Sequence, residues 1–220
     1  MQLASYIDHT LLKPEASKEQ IVKTCKEALE HKFFGVCVNS VWMPTVVAEL
    51  KGSAVASVAV VGFPLGAMSS RTKAFEAEWC VNQGADEIDM VLNIGALKEK
   101  NFAAVKADIA EVAKACGMAK LKVILEIGLL NSEEKRAACD LAVNAGAHFV
   151  KTCTGFNIGN ATVEDILLMR AAVGPDFGVK ASGGIKTQAH ALLLLEAGAT
   201  RLGTSAGVQL VQNEKTAGGY

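Results

Sequence analysis

The chain has 220 residues, half of them hydrophobic, and a formal net charge of −1. That length suits one large core, as in single-domain α/β barrels, and near-zero charge with scattered lysines excludes the electrostatic footprint of a nucleic-acid binder. The start shows no basic-then-apolar signal pattern, and the uncharged run 53–70, long enough to raise a membrane span, is broken by Gly62, Pro64 and Gly66.

In chain order, eight short segments read as strands: SYIDH, FGVCVN, VASVAVVGF, DEIDMVLN, LKVILEIG, HFVKT, FGVKAS and TRLGTS. Their apolar runs suit parallel strands buried on both faces. Amphipathic stretches lie between them, such as EEKRAACDLAVNA, whose Ala137, Ala138, Leu141 and Ala142 share one helical face. Three junctions repeat: NQGADEIDM, NAGAHFVKT and EAGATRLGT. In each, a helix runs into Gly-Ala and then a strand. Gly84, Gly146 and Gly198 suit the left-handed position just past a helix end, where a Cβ would clash. Five residues beyond each glycine stand Asp89, Lys151 and Gly203, at one common strand depth. Seven helical segments and a short C-terminal one complete the alternation. This pattern predicts a single-domain (β/α)8 TIM barrel over residues 1–212 and a flexible tail over 213–220. The alternative is a doubly wound open sheet. No GxGxxG opens a helix, which weakens its dinucleotide-binding form.

Strand alternation sorts the polar residues. If Asp89 faces the barrel interior, so does Glu87, while Ile88 and Met90 pack outward. Lys122, Ile124 and Glu126 then share the inner face of the next strand, with Val123 and Leu125 outside. Lys151 and Lys180 can also point inward. Polar residues at the C-terminal strand ends of such a barrel read as catalytic, and those lower down as structural. Glu87 and Lys122 are therefore expected to form an internal structural pair. Cys25, Cys37, Cys80, Cys116, Cys139 and Cys153 form no CxxC pair and read as reduced thiols of a cytoplasmic protein. His9, His31, His148 and His190 show no metal-ligand spacing, so no metal site is expected.

Lys151 and Lys180 end what should be adjacent strands. A lone strand lysine is most simply a paired or snorkelling core residue. Two together would repel, and burial with a like charge favours the neutral amine. At a pKa of about 10.4, roughly one lysine in 2,500 is neutral at pH 7. Lowering it to about 7.5 makes nearly a quarter neutral, at a cost of roughly 4 kcal/mol. A neutral amine attacks carbonyl carbon to give a Schiff base, and Asp89 would supply a third group for proton transfer. After Lys180 comes Ser182-Gly183-Gly184, and the last strand carries Gly203-Thr204-Ser205. Loops after strands seven and eight recur as phosphate sites in this fold, because glycines let backbone N–H groups approach an anion. Two ordinary glycine turns are the competing reading.

Five motifs, IDHTLLKP, DEIDMVLNIG, LKVILE, FVKTCTGF and GVKASGGI, stand in an order that resembles the deoxyribose-phosphate aldolase family from about Tyr6 to Ser205. The resemblance implies a class I aldolase that needs no metal or cofactor. Such an enzyme cleaves 2-deoxy-D-ribose 5-phosphate to glyceraldehyde 3-phosphate and acetaldehyde. Lys151 resembles the Schiff-base lysine, Lys180 the second lysine that tunes it, and Asp89 the acid/base acting through a water. Asp8 resembles a rim carboxylate near the lysine pair. Thr154 falls where the family touches substrate hydroxyls, and Gly155, Gly183, Gly184, Gly203 and Ser205 where it holds the phosphate. The implied partners are small phosphorylated sugars and aldehydes, with neither nucleic acid nor membrane, and the chain could form a homo-oligomer.

Two positions depart from the family. Cys153 stands where serine is usual, leaving sensitivity to oxidation open, and Phe156 replaces a lysine that some members carry. The tail NEKTAGGY ends in Tyr220 behind two glycines. It is either a disordered end or a mobile segment whose tyrosine protonates the substrate at C2. Two rivals stand beside the aldolase reading. One is another Schiff-base barrel that uses a ketone donor; the other is a phosphate-metabolite binder without turnover.

Overall fold

In the computed structural model, which describes residues 3–213, all eight expected strands form and pair in sequence order into a closed parallel barrel. They are β1 (Ile7–Leu11), β2 (Gly35–Asn39), β3 (Ala56–Val61), β4 (Glu87–Val91), β5 (Lys120–Ile124), β6 (Phe149–Lys151), β7 (Gly178–Ser182) and β8 (Arg201–Thr204). Closure is made by β8 on β1, with Leu202 beside Ile7 and Gly203 beside Asp8, which excludes the open sheet.

The helices are α1 (Lys18–His31), α2 (Met43–Glu49), α3 (Ser70–Asn82), α4 (Ile94–Lys98), α5 (Phe102–Cys116), α6 (Ser132–Asn144), α7 (Val163–Val173), α8 (Gln188–Glu196) and α9 (Gly207–Gln212). Their starts are written locally. Ser17 with Gln20 and Asn131 with Glu134 form capping boxes at α1 and α6, satisfying backbone N–H groups the helix cannot. Gly84, Gly146 and Gly198 take φ of 101°, 87° and 111°, the left-handed region expected of them. Among the described residues one helix more than expected is present. Asn93 and Asn101 each cap a helix, and Lys100 at φ 56° breaks the path between α4 and α5. The first strand also starts later than predicted, because Leu3–Tyr6 form a 3-10 turn that buries Leu3 and Ala4. None of the described helices is long and apolar enough to cross a membrane.

Ile88, Met90, Val123 and Leu125 join the outer core between barrel and helices, as alternation predicts. Within that layer Lys73 of α3 is wholly buried and donates to Asp108 of α5 at 2.6 Å and to the Val91 carbonyl at 2.9 Å. A separate small cluster, Leu12, Cys37, Val58 and Val60, gathers residues of β2, β3 and the end of β1. Beside this cluster the interior holds buried charged side chains, with the Phe149 ring 5.9 Å from Lys122 Nζ.

Candidate active site

Inside the barrel six ionic side chains form a closed circuit. Asp89 Oδ1 accepts from Lys122 Nζ at 2.6 Å, and Asp89 Oδ2 accepts from Lys180 Nζ at 2.8 Å. Lys180 also donates to Asp8 Oδ2, and Asp8 Oδ1 accepts from Arg201 Nη1 at 2.9 Å. Arg201 donates in turn to Glu87 Oε2 at 2.8 Å, and Glu87 pairs with Lys122 at 2.7 Å. Three carboxylates thus alternate with three cations, and the ring is charge-balanced. Burying ions costs several kcal/mol each unless every one is paired, which is why each member has two opposite partners. The Arg201 guanidinium also lies over the Phe34 ring, 3.2 Å from its centroid.

Lys151 hangs from this ring as a fourth cation. Among the described residues its one carboxylate contact is Asp89 Oδ2 at 2.9 Å. The ring sets the charge states of Asp89, Asp8 and Lys180. Burial would raise the Asp89 carboxyl, but the charges of Lys122, Lys151 and Lys180 outweigh it and hold the group well below the usual carboxylate range. Asp8 is lowered in the same way, burial being outweighed by Lys180 and Arg201. For Lys180, burial opposes the charged form, yet Asp8 and Asp89 win and hold the ammonium above the usual lysine range. The expectation that burial and a like charge favour the neutral amine is therefore corrected for Lys180. Asp89 stands between Lys151 and Lys180, and Lys180 is a fixed cation.

A cavity of about 290 Å³ opens above the ring. Lys151, Thr154, Gly155, Gly183, Gly184, Gly203 and Ser205 all line it, so the residues predicted from β6, β7, β8 and their loops meet at one mouth. Asp89, Lys180 and Asp8 do not line the cavity; all three are wholly buried. Asp8 is not a rim carboxylate, because β1 places it level with Gly35 and Gly203, where its carboxylate faces Lys180 and Arg201. Gly203 serves a purpose the sequence did not suggest. A Cβ there would come within 2.3 Å of Ser182 Oγ and 3.0 Å of Lys180 Cε, so the bare backbone leaves room for the lysine to cross the barrel.

Glu126 departs from its expected place on the inner face. Strand β5 ends at Ile124, and Glu126 adopts φ 58° and ψ 59°, which costs a non-glycine residue about 1–3 kcal/mol. Its buried carboxylate accepts from Thr154 N at 3.2 Å, Thr154 Oγ1 at 2.5 Å and Asn157 Nδ2 at 2.9 Å, tying down the loop after β6. Cys153 lies beneath that loop, and burial followed by the Glu126 charge pushes its thiol up to about 12. It is a thiol, not a reactive thiolate, at neutral pH. Phe156 meets Phe63 edge to face at 5.3 Å between ring centroids, and Lys186 from the loop after β7 joins it in lining the cavity. Tyr220 lies outside the described residues.

Sequence reasoning missed Arg201, Lys186 and the sharing of Lys122 between Glu87 and Asp89. Arg201 was findable, since an arginine opening an apolar strand is the same anomaly as Lys151. No group of three or more His, Cys, Asp or Glu side chains suited to a metal ion occurs among the described residues.

Fold and pocket together define a class: (β/α)8 barrels with an amine at the mouth, set on a buried carboxylate. Similarity narrows that class. A family model described as DeoC/LacD family aldolase matches residues 2–213. A deoxyribose-phosphate aldolase of Streptococcus sanguinis (strain SK36) is 54% identical over 220 residues, spanning all of both chains. One from Bacillus subtilis (strain 168) is 54% identical over 220 residues, covering 100% of this chain and 99% of its own. The tetrameric deoxyribose phosphate aldolase structure from Aeropyrum pernix superposes with a TM-score of 0.89 at 31% identity, covering 96% of this chain and 89% of that one. The chain belongs to the DeoC/LacD aldolase family.

Proposed function

We propose that this chain is a class I aldolase that reversibly cleaves 2-deoxy-D-ribose 5-phosphate to glyceraldehyde 3-phosphate and acetaldehyde. The observation that carries the reading is the place of Lys151. It is the one amine of the interior cluster that lies outside the balanced ring and lines the cavity. Lys151 attacks C1 of the open-chain sugar, and loss of water gives the iminium. The C2–C3 bond then breaks, with its electrons drawn into the enamine. Protonation at C2 and hydrolysis release acetaldehyde and the free amine. Asp89 Oδ2 touches both Lys151 and Lys180, so it orients the nucleophile and connects it to a fixed proton carrier. The reaction is placed in the cytoplasm, which the six free, buried cysteines support. Self-association is supported by the tetrameric relative.

Borohydride reduction in the presence of acetaldehyde tests this reading. The expected product is an ethyl group on the peptide carrying Lys151 and on no other. Absence of that adduct in the active protein would sink it.

The phosphate is assigned to Gly183, Gly184, Ser205 and Lys186 on one side of the cavity. Ser205 is exposed there, so a carboxylate can be introduced without burying it. Ser205→Asp should raise KM for deoxyribose 5-phosphate at least ~10-fold through like-charge repulsion, with little effect on unphosphorylated deoxyribose. Equal losses on both sugars would remove the phosphate from this position.

A further inference from the structure

The proposed cleavage leaves one proton without a destination. When the C2–C3 bond breaks, the C3 hydroxyl becomes an aldehyde oxygen and must release its proton. Asp89 is poorly suited to take it, because both its oxygens are committed to three cations and it does not line the cavity. Glu126 has a different setting. It is wholly buried, and the donors the structure gives it are all neutral: Thr154 N, Thr154 Oγ1 and Asn157 Nδ2. Glu126 does not line the cavity, but Thr154 does, on the same wall as Lys151.

The hydrogen bonds of Thr154 fix how it faces substrate. Its hydroxyl proton goes to Glu126 Oε2 at 2.5 Å, and one lone pair accepts from Phe156 N at 3.1 Å. A hydroxyl has one proton and two lone pairs. Among the described residues one lone pair is therefore left, and Thr154 can only accept from a group in the cavity. Such a group must be a donor, which an alcohol is and its aldehyde product is not. The left-handed backbone at Glu126 and its contacts to the loop hold this arrangement in place.

We propose that Thr154 and Glu126 form a two-step proton relay for carbon–carbon cleavage, with Glu126 the final acceptor; this rests on the aldolase reading above. The C3–OH proton passes to Thr154 Oγ1 as the Thr154 proton passes to Glu126 Oε2. The O–H electron pair becomes the C3=O π bond, and the C2–C3 pair becomes the enamine C1=C2 bond as the iminium nitrogen is neutralised. Glu126 ends as the neutral acid and returns its proton to water after product leaves. In the condensation direction it supplies that proton to the new alkoxide. Glu126 acts through Thr154, as a positioning residue that also stores a proton.

Three measurements on wild type, Glu126→Gln, Thr154→Val and Thr154→Ser test the relay. They are borohydride trapping with acetaldehyde, deuterium exchange at acetaldehyde C2 in heavy water, and cleavage of deoxyribose 5-phosphate. Exchange needs the enamine but no C3 hydroxyl. Glu126→Gln and Thr154→Val should each lower kcat for cleavage by about 10²-fold, the scale of acid–base contributions, while trapping and exchange stay near wild type. Thr154→Ser keeps a hydroxyl and should cleave near the wild-type rate. The double variant should lose no more than the worse single one, since a broken relay cannot be broken twice. Cleavage within about tenfold of wild type in either Glu126→Gln or Thr154→Val, or exchange falling in step with cleavage, overturns the relay. Failure of wild type itself to trap acetaldehyde at Lys151 would instead overturn the aldolase reading.

Discussion

Lys151→Arg and Lys151→Leu should abolish cleavage of deoxyribose 5-phosphate and leave the barrel folded. Arginine keeps the charge beside Asp89 but is never neutral in the working pH range and cannot supply a nucleophilic amine. Leucine removes the charge, yet Asp89 still has Lys122 and Lys180, and the six-membered ring stays balanced. Loss of a nucleophile that works as part of a unit costs at least about 10⁴-fold in kcat. Thermal melting near that of wild type, with no borohydride-trapped adduct, is the expected result for the leucine variant. Measurable turnover by either purified variant would move the Schiff base to another residue. A collapsed melting transition in the leucine variant would show that Lys151 belongs to the structural ring after all.

Asp89→Asn should damage both stability and chemistry. The amide keeps the shape of the side chain but removes the single negative charge that Lys122, Lys151 and Lys180 share. Removing one partner of a buried ion pair costs about 3–5 kcal/mol, because the other charge remains buried. For a chain of this length that is a fall in Tm of roughly 10 °C. The effect should depend on pH with a definite sign. Asp89 is held well below the usual range when folded, so its stabilisation is fully present above the unfolded carboxyl pKa of about 3.9. It is lost as pH falls through the folded value. The stability gap between wild type and Asp89→Asn should therefore be constant above about pH 5 and narrow below about pH 4. Turnover should fall at least ~10²-fold, because the carboxylate that orients Lys151 and connects it to Lys180 is lost. A gap that widens in acid would mean that Asp89 is protonated in the folded state.

Much of this molecule was legible from short-range pattern. The recurring Gly-Ala junction gave strand depth, and it placed Asp89 and Lys151 at the same level of β4 and β6 before any partner was known. Outward packing of Ile88 and Met90 followed from strand alternation alone, since side chains on a strand must point to opposite faces. The loops that bring Gly155, Gly183, Gly184 and Ser205 to the cavity were placed by strand order. What the sequence could not decide was which charge would sit against which. Asp8 and Arg201 stand 193 residues apart yet share a hydrogen bond across the closed barrel. The charge state of Lys180 depends on Asp8 and Asp89, brought from strands β1 and β4, which an argument from burial and the Lys151 charge alone did not include. Glu126 followed alternation only to the end of β5, where a left-handed residue turned it toward the next loop. Gly203 lines the cavity as expected, but its second purpose, leaving room for the Lys180 side chain, could be read only from the structure. Alternation and capping act within a few residues and survive in the sequence. Coulomb interactions act between whichever groups barrel closure brings together, so only the tertiary structure decides them.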